Sequence, residues 1–178
     1  MRILLIFIAL VLINGCATQV TSIKQDRDRV LKKDRGYVLL GIETNRDLKS
    51  ILIDGAENIK LSSADIKEGT NFLLVDLKAG KYTIEKLRLD KYWRVELDDE
   101  EYWSFEVEPN QISYVGHLEI VRRGFWGGST YTELVNRSSE ALMFMEDNYP
   151  NILANRNMYY GGPGEDGFFQ YIASFNQE

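Results

Sequence analysis

The chain contains one cysteine and one histidine in 178 residues. A lone thiol cannot close an internal disulfide, and a zinc-type centre needs several Cys or His ligands at set spacings, so both are excluded within a single copy. Basic residues are also scarce, with 21 Lys and Arg against 27 Asp and Glu. Nucleic acid is therefore not an expected partner, because that binding rests on cations neutralising phosphates. The same sign argues against a domain lying flat on anionic head groups. No internal repeat, no Gly-x-Ser-x-Gly elbow and no EF-hand spacing occurs. What is present is a 44% hydrophobic and 27% charged composition, which fits one globular domain with appendages and excludes disorder of the whole.

The apolar content is unevenly placed. Met1-Arg2 gives a short positive start, and Ile3 to Ile13 is an unbroken apolar run. That run has the length of a signal h-region and is too short for a bilayer span of about 20 residues. Leu12-Ile13-Asn14-Gly15-Cys16 follows it and resembles the lipobox of bacterial lipoproteins, with an aliphatic residue three before the cysteine and a small one directly before it. The resemblance implies that residues 1–15 are removed as a signal peptide. It further implies that Cys16 takes a diacylglyceryl group on sulfur and an N-acyl chain, palmitate among them, on its freed amine. This covalent lipid is the sole cofactor-like group expected. Two or more acyl chains, at about 0.8 kcal/mol per buried CH₂, hold a protein at a membrane durably. Ala17 stands where an Asp would favour the inner membrane, so the implied destination is the periplasmic side of the outer membrane. With Arg2 removed, the mature chain carries 20 basic against 27 acidic residues, or −7.

Residues 16–35 are polar and charge-mixed after Cys16, and read as a tether. Nineteen flexible residues would reach about 60 Å fully extended and roughly 25 Å on average.

From Gly36 the chain shows short apolar runs separated by turn signals, the pattern of an all-β fold: an antiparallel β-sandwich of about seven to eight strands over residues 36–137. Expected strands are Tyr37–Glu43, Leu48–Ile53, Phe72–Leu77, Lys81–Leu89, Tyr92–Leu97, Trp103–Val107, Ile112–Val121 and Thr130–Val135. Asn45-Arg46, Asp54-Gly55, Ala79-Gly80 and Pro109-Asn110 punctuate them. Pairing Leu97 with Trp103, Val95 with Phe105 and Trp93 with Val107 makes a hairpin with one apolar face, Arg94 opposite Glu106 and both tryptophans inside. Residues 138–178 are expected to hold one packing helix and a glycine-rich tail. The helix runs from Ser138 or Ser139, as N-cap, to Asn148, is stopped by Pro150, and packs through Ala141, Leu142, Met145 and Tyr149. Gly161-Gly162-Pro163-Gly164 cannot hold regular structure, and Phe168 to Ile172 either docks as a last strand or stays mobile.

Leu77-Lys78-Ala79-Gly80-Lys81-Tyr82 resembles the Leu-x-Pro/Ala-Gly-x-Tyr turn of prealbumin-like (transthyretin-like) sandwiches. Phe105-Glu106-Val107-Glu108-Pro109-Asn110 through Tyr114-Val115-Gly116 is similar to a strand-turn-strand of small bacterial outer-membrane lipoproteins of unknown function. Pro109-Asn110 replaces their Pro-Gly, and Asn still permits a positive φ. The resemblance spans roughly residues 36 to 121, implies fold and location, and brings no activity. Cys16 is the one functional residue it transfers.

Three site candidates remain. His117 shares one strand face with Ser113 and Glu119, which invites a hydrolase, but neighbours on one strand lack the geometry of a triad; a solvent-facing histidine is the expectation. Asp98-Asp99-Glu100-Glu101 could gather calcium, but adjacent carboxylates diverge, so a solvated hairpin tip is expected. The Gly124–Gly128 loop presents Phe125 and Trp126, joined by Tyr92 and Tyr102 as a platform for glycan or peptidoglycan; the alternative is a loop tucked under the sandwich rim. The leading expectation is a lipid-anchored, non-enzymatic binding or structural module of the cell envelope whose partner is an envelope protein or peptidoglycan. A glycan-binding module is second and a hydrolase third.

Overall fold

The computed structural model describes residues 17–124 and 128–175. Two sheets face each other. The outer sheet is ordered β1 (Thr18–Val20), β4 (Ile59–Ser62), β3 (Ser50–Gly55), β6 (Gly80–Arg88), with β7 (Arg94–Glu96) and β8 (Ser104–Val107) side by side along the far edge of β6. The central sheet is ordered β5 (Gly69–Lys78), β2 (Arg35–Thr44), β9 (Ile112–Arg122), with β10 (Thr130–Val135) and β11 (Met158–Tyr160) sharing the far edge of β9. The described residues are thus mostly β in a two-sheet arrangement, as expected. The pairing is mixed, however, because β2 runs parallel to β9, β1 to β4 and β11 to β9. Eleven strands are present among the described residues rather than seven or eight.

Alternation decides the inner core. Val38, Leu40 and Ile42 of β2 and Val75 of β5 meet Ile51 and Ile84 of the outer sheet. The opposite residues of the same central strands, Tyr37, Leu39 and Leu74, are also buried, in a second core against α1 (Ser138–Asn148), α2 (Pro150–Asn155) and α3 (Phe168–Phe175). A sheet covered on both faces needs nearly continuous apolar strands, which is why β2 reads Tyr-Val-Leu-Leu-Gly-Ile. The fold is therefore three-layered: outer sheet, central sheet, helices.

Helix α1 buries Ala141 and Met145, with Leu142 half-buried and Tyr149 buried at its C-cap, as the spacing predicts. Neither serine is the N-cap. The Ser138 amide donates to Asn136 Oδ1 at 3.0 Å, and its hydroxyl donates to Asp166 Oδ2 at 2.5 Å. Pro150 ends α1 and begins α2, since a first-turn proline loses no helical hydrogen bond. Phe168–Phe175 is a helix, neither strand nor loose end, and it buries Phe169 in the helical core with Leu142 and Leu153.

The expected 93–107 hairpin does not form. Strand β6 is long enough to pair with both arms in succession, Arg88↔Arg94 to Lys86↔Glu96 and then Thr83↔Ser104 to Gly80↔Val107. Trp103 is buried at 7% exposure, whereas Trp93 lies outside at 46%. The Arg94–Glu106 pair is lost, and Arg94 bonds Glu96 at 3.0 Å instead.

Residues 17–35 are not a free tether. Thr18–Val20 extends the outer sheet, and the Ile23 amide donates to Leu74 O of the central sheet at 2.7 Å. Asp26 then caps α2, accepting from the amides of Asn151 (2.8 Å) and Ile152 (3.0 Å), and Asp28 pairs with Arg156 at 3.0 Å. The segment is a strap closing one open side of the sandwich. It is held by carboxylates and amides, so its low hydrophobicity did not reveal it.

Register fixes two poles. One carries Thr18, Arg35, the 55–58 turn, Lys78–Gly80 and Asn110; the other carries Thr44–Ser50, Arg88–Arg94, Arg122 and Thr130.

Candidate functional site: a basic, aromatic pole

The second pole is built around Asp90, where β6 ends. Its Oδ1 accepts the amides of Tyr92 (2.8 Å) and Trp93 (2.9 Å), which closes a tight turn and turns both rings outward. Its Oδ2 lies 3.4 Å from Arg46 Nη2. These amide bonds, and then the charges of Arg46 and Arg122, hold the Asp90 carboxyl below its usual pKa. The turn is thus fixed in its ionised form.

Arg122 reaches in from β9. Its guanidinium lies 4.4 Å from the Trp93 ring centre, a cation–π contact. Its backbone is bonded to the Asn45 side chain in both directions, N–H to Oδ1 at 3.0 Å and O from Nδ2 at 2.9 Å, which locks the β2–β3 turn to the end of β9. Lys91 lies 4.6 Å from the ring centre of Tyr92. Tyr92 is 78% exposed.

Arg88 and Arg94 are direct cross-strand partners. Like charges in that position destabilise a sheet, so the pair concentrates charge at the expense of stability. Arg46, Arg88, Lys91, Arg94, Arg122 and Arg123 therefore gather on an acidic chain. Of these, Arg88, Lys91, Arg122 and Arg123 have no carboxylate partner among the described residues. Guanidinium groups recognise carboxylate and phosphate through planar paired hydrogen bonds, and outward rings offer flat apolar faces. Together they suit an anionic polymer with sugar-like faces.

The structure divides the sequence candidates. Tyr92 belongs to this pole, and so do the ends of the Gly124–Gly128 loop, where Arg123 N–H bonds Ser129 O at 3.0 Å. Phe125 and Trp126 lie outside the described residues, as does Cys16. Tyr102 is elsewhere, its ring edge-on to Trp103 and its hydroxyl accepting the Leu134 amide at 3.3 Å. Trp93, assigned to the core by the false hairpin, joins the pole. Asp98, Asp99, Glu100 and Glu101 are exposed, and among the described residues no three Asp, Glu, His or Cys side chains converge to hold a metal. A depression of about 630 Å³ on the outer sheet is lined by Lys81 and Lys86 among Asp54, Glu85, Glu96, Asp98 and Glu100. It carries no aromatic ring and its five carboxylates outnumber its two ammonium groups, so it suits an anionic polymer less than the second pole does.

His117 is not solvent-facing. Its side of β9 is covered by the helical layer, and its exposure is 0%. A bulge at Gly116 (φ +112°) skips one residue between the Leu39↔Tyr114 and Gly41↔His117 pairs, which puts His117 on the helix side and Ser113 on the other. A side chain at Gly41 would collide with the imidazole at 2.4 Å, so glycine makes room for it. The Arg137 amide donates to the Tyr114 hydroxyl oxygen at 2.9 Å, and that hydroxyl lies 2.7 Å from His117 Nδ1. The Tyr114 hydroxyl thus occupies His117 Nδ1, while Nε2 has no hydrogen-bond partner among the described residues. Burial first, and then the nearby Arg137 charge, push His117 down to about 4, with Glu43 opposing. Arg137 in turn bonds Glu43 (2.9 Å) and Glu119. No solute can touch this imidazole, so the His117-centred hydrolase arrangement is not formed.

No protein-family model, no curated protein and no solved structure matches the chain.

Proposed function

We propose that the protein is a lipid-anchored envelope lipoprotein whose sandwich binds an anionic glycan, with peptidoglycan as the substrate class, through the Arg46–Asp90–Trp93–Arg122 pole. The role is binding without catalysis. The observation that carries the reading is the gathering of unpaired cations around two outward aromatic rings on a chain whose overall charge is negative. Peptidoglycan combines sugar faces that aromatic rings can cover with lactyl and peptide carboxylates that guanidinium groups can pair. The lipobox-like Leu12–Cys16 supports an anchor at the opposite end, because Thr18 enters at the other pole.

The prealbumin-like likeness belongs to the same reading. In support, Gly80 sits at φ +138° between β5 and β6, and the Tyr82 hydroxyl donates to Lys78 O at 2.8 Å, a tyrosine-corner device common in β-sandwiches.

Pull-down on isolated sacculi tests the binding. The acylated wild type and a Tyr171→Ala control on α3 are expected to sediment alike, and the Tyr92→Ala/Trp93→Ala/Arg122→Ala variant about tenfold less. Trp126→Ala reports on the adjoining loop. Equal sedimentation of the triple variant would remove the glycan reading, leaving capture of a defined envelope protein as its rival. Palmitate incorporation lost in Cys16→Ser tests the anchor.

A further inference from the structure

The loop Arg29–Asp34 lies at the pole where the chain would leave for its lipid. The Thr18 amide donates to Asn58 O at 2.7 Å, and the neighbouring Glu57 carboxylate bonds Arg35 Nη1 at 2.9 Å, so the start of β1 and the base of this loop share one end of the molecule. Cys16 stands two residues before Thr18, a Cα distance of at most about 7 Å. With the strap consumed by the fold, no slack separates an acylated Cys16 from this pole.

The loop is held in shape at both ends. The Arg29 amide donates to the Tyr37 hydroxyl at 3.1 Å, Arg156 donates to Arg29 O at 3.0 Å, and the Arg35 amide donates to Lys32 O at 3.0 Å. Leu31 turns inward to the helical core, while Val30 is fully exposed at 102%. A single exposed valine means little by itself. This one is flanked by exposed Arg29, Lys32 and Lys33 against Asp34 alone, a local excess of positive charge within a mature chain of −7.

Resting on the Cys16 reading above, we infer that the Arg29–Asp34 loop is a membrane-contact element, with Val30 at the boundary of head groups and acyl chains and Arg29, Lys32 and Lys33 on lipid phosphates. The overall negative charge conceals this patch because it is confined to one pole. The contact sets the strands pointing away from the bilayer. The ten residues of β2 then hold the basic, aromatic pole about 33 Å above the lipid surface.

The test uses the acylated protein, in which Cys16 sulfur is occupied, so that Val30→Cys or Glu68→Cys supplies a lone thiol for an environment-sensitive fluorophore. Each is reconstituted into vesicles of phosphatidylethanolamine with a minority of phosphatidylglycerol, with and without a nitroxide-labelled lipid. A probe at position 30 is expected to shift to the blue and be quenched several-fold more than one at position 68, on the far pole, and Lys32→Glu/Lys33→Glu to remove most of that difference. Protein that floats with the vesicles but quenches alike at both positions overturns the contact while leaving the anchor intact. A blue shift at position 30 that the nitroxide lipid does not touch assigns the loop to a protein partner or second copy, and also overturns it. Failure to float sinks the anchor and the contact together.

Discussion

Protonating His117 is expected to unlock the helical layer from the central sheet. The imidazole is fully buried, its Nδ1 is taken by the Tyr114 hydroxyl, and it sits beside Arg137. The fold therefore favours the neutral ring, with a pKa pushed from 6.5 to about 4. Between those values the unfolded chain binds the proton and the folded one does not, so stability falls as pH falls from 6.5 and levels off, for this group, below about 4. At about 1.4 kcal/mol per pH unit, that gap is worth about 3 kcal/mol, a large share of the roughly 5–15 kcal/mol typical of a domain. Urea unfolding at a series of pH values measures it. His117→Asn keeps an acceptor near the Nδ1 position but cannot take up the proton. Its stability is lower throughout, from lost packing, yet its curve between pH 6.5 and 4 is expected to be flatter than that of the wild type by that amount. Because His117 is the single histidine, its ring resonances give the folded pKa directly. Parallel wild-type and variant curves, or a ring titrating near 6.5 in the folded protein, would refute the reasoning.

The eight strands read from alternating apolar residues are all present, since periodicity of two is a local property and survives any topology. What periodicity could not carry was pairing. A hairpin between 93–97 and 103–107 satisfied every local rule, and only the length of β6, which takes both arms, excludes it. That one error hid Trp93 from the candidate site and left Tyr102 grouped with Tyr92 as a platform residue. The reading of His117 failed for a related reason: Gly116 inserts one residue and reverses the alternation midway along β9. A strand apolar on one flank and polar on the other then turned out to be covered on both. The glycine itself was the available signal, because a lone glycine inside a strand pattern marks a bulge. Tyr92 was legible as an aromatic left outside the core by alternation with Trp93. The cations were not, because Arg46 comes from the β2–β3 turn, Arg88 from β6 and Arg122 from β9, and they meet only through register. The strap was missed because hydropathy does not register polar bonds such as Asp26 to the α2 amides.

Two further perturbations separate the observed structure from its rivals. Trp103→Ala is expected to lose about 3–5 kcal/mol and Trp93→Ala less than about 1 kcal/mol in urea unfolding, since only the first ring is in the core; equal losses would restore the hairpin. Asp26→Ala removes the cap that receives the Asn151 and Ile152 amides, and a lost cap costs about 1–2 kcal/mol. Part of that loss falls on the strap, because Asp26 is a bond between it and α2. Where local opening limits cleavage, the same free energy raises trypsin cutting at Arg27 and Arg29 by about 5–30-fold, while Asp26→Asn, which retains an acceptor oxygen, cuts at an intermediate rate. A free tether would already be cut at the full rate in the wild type, so indifference of all three proteins would show that residues 17–35 are not bound to the fold.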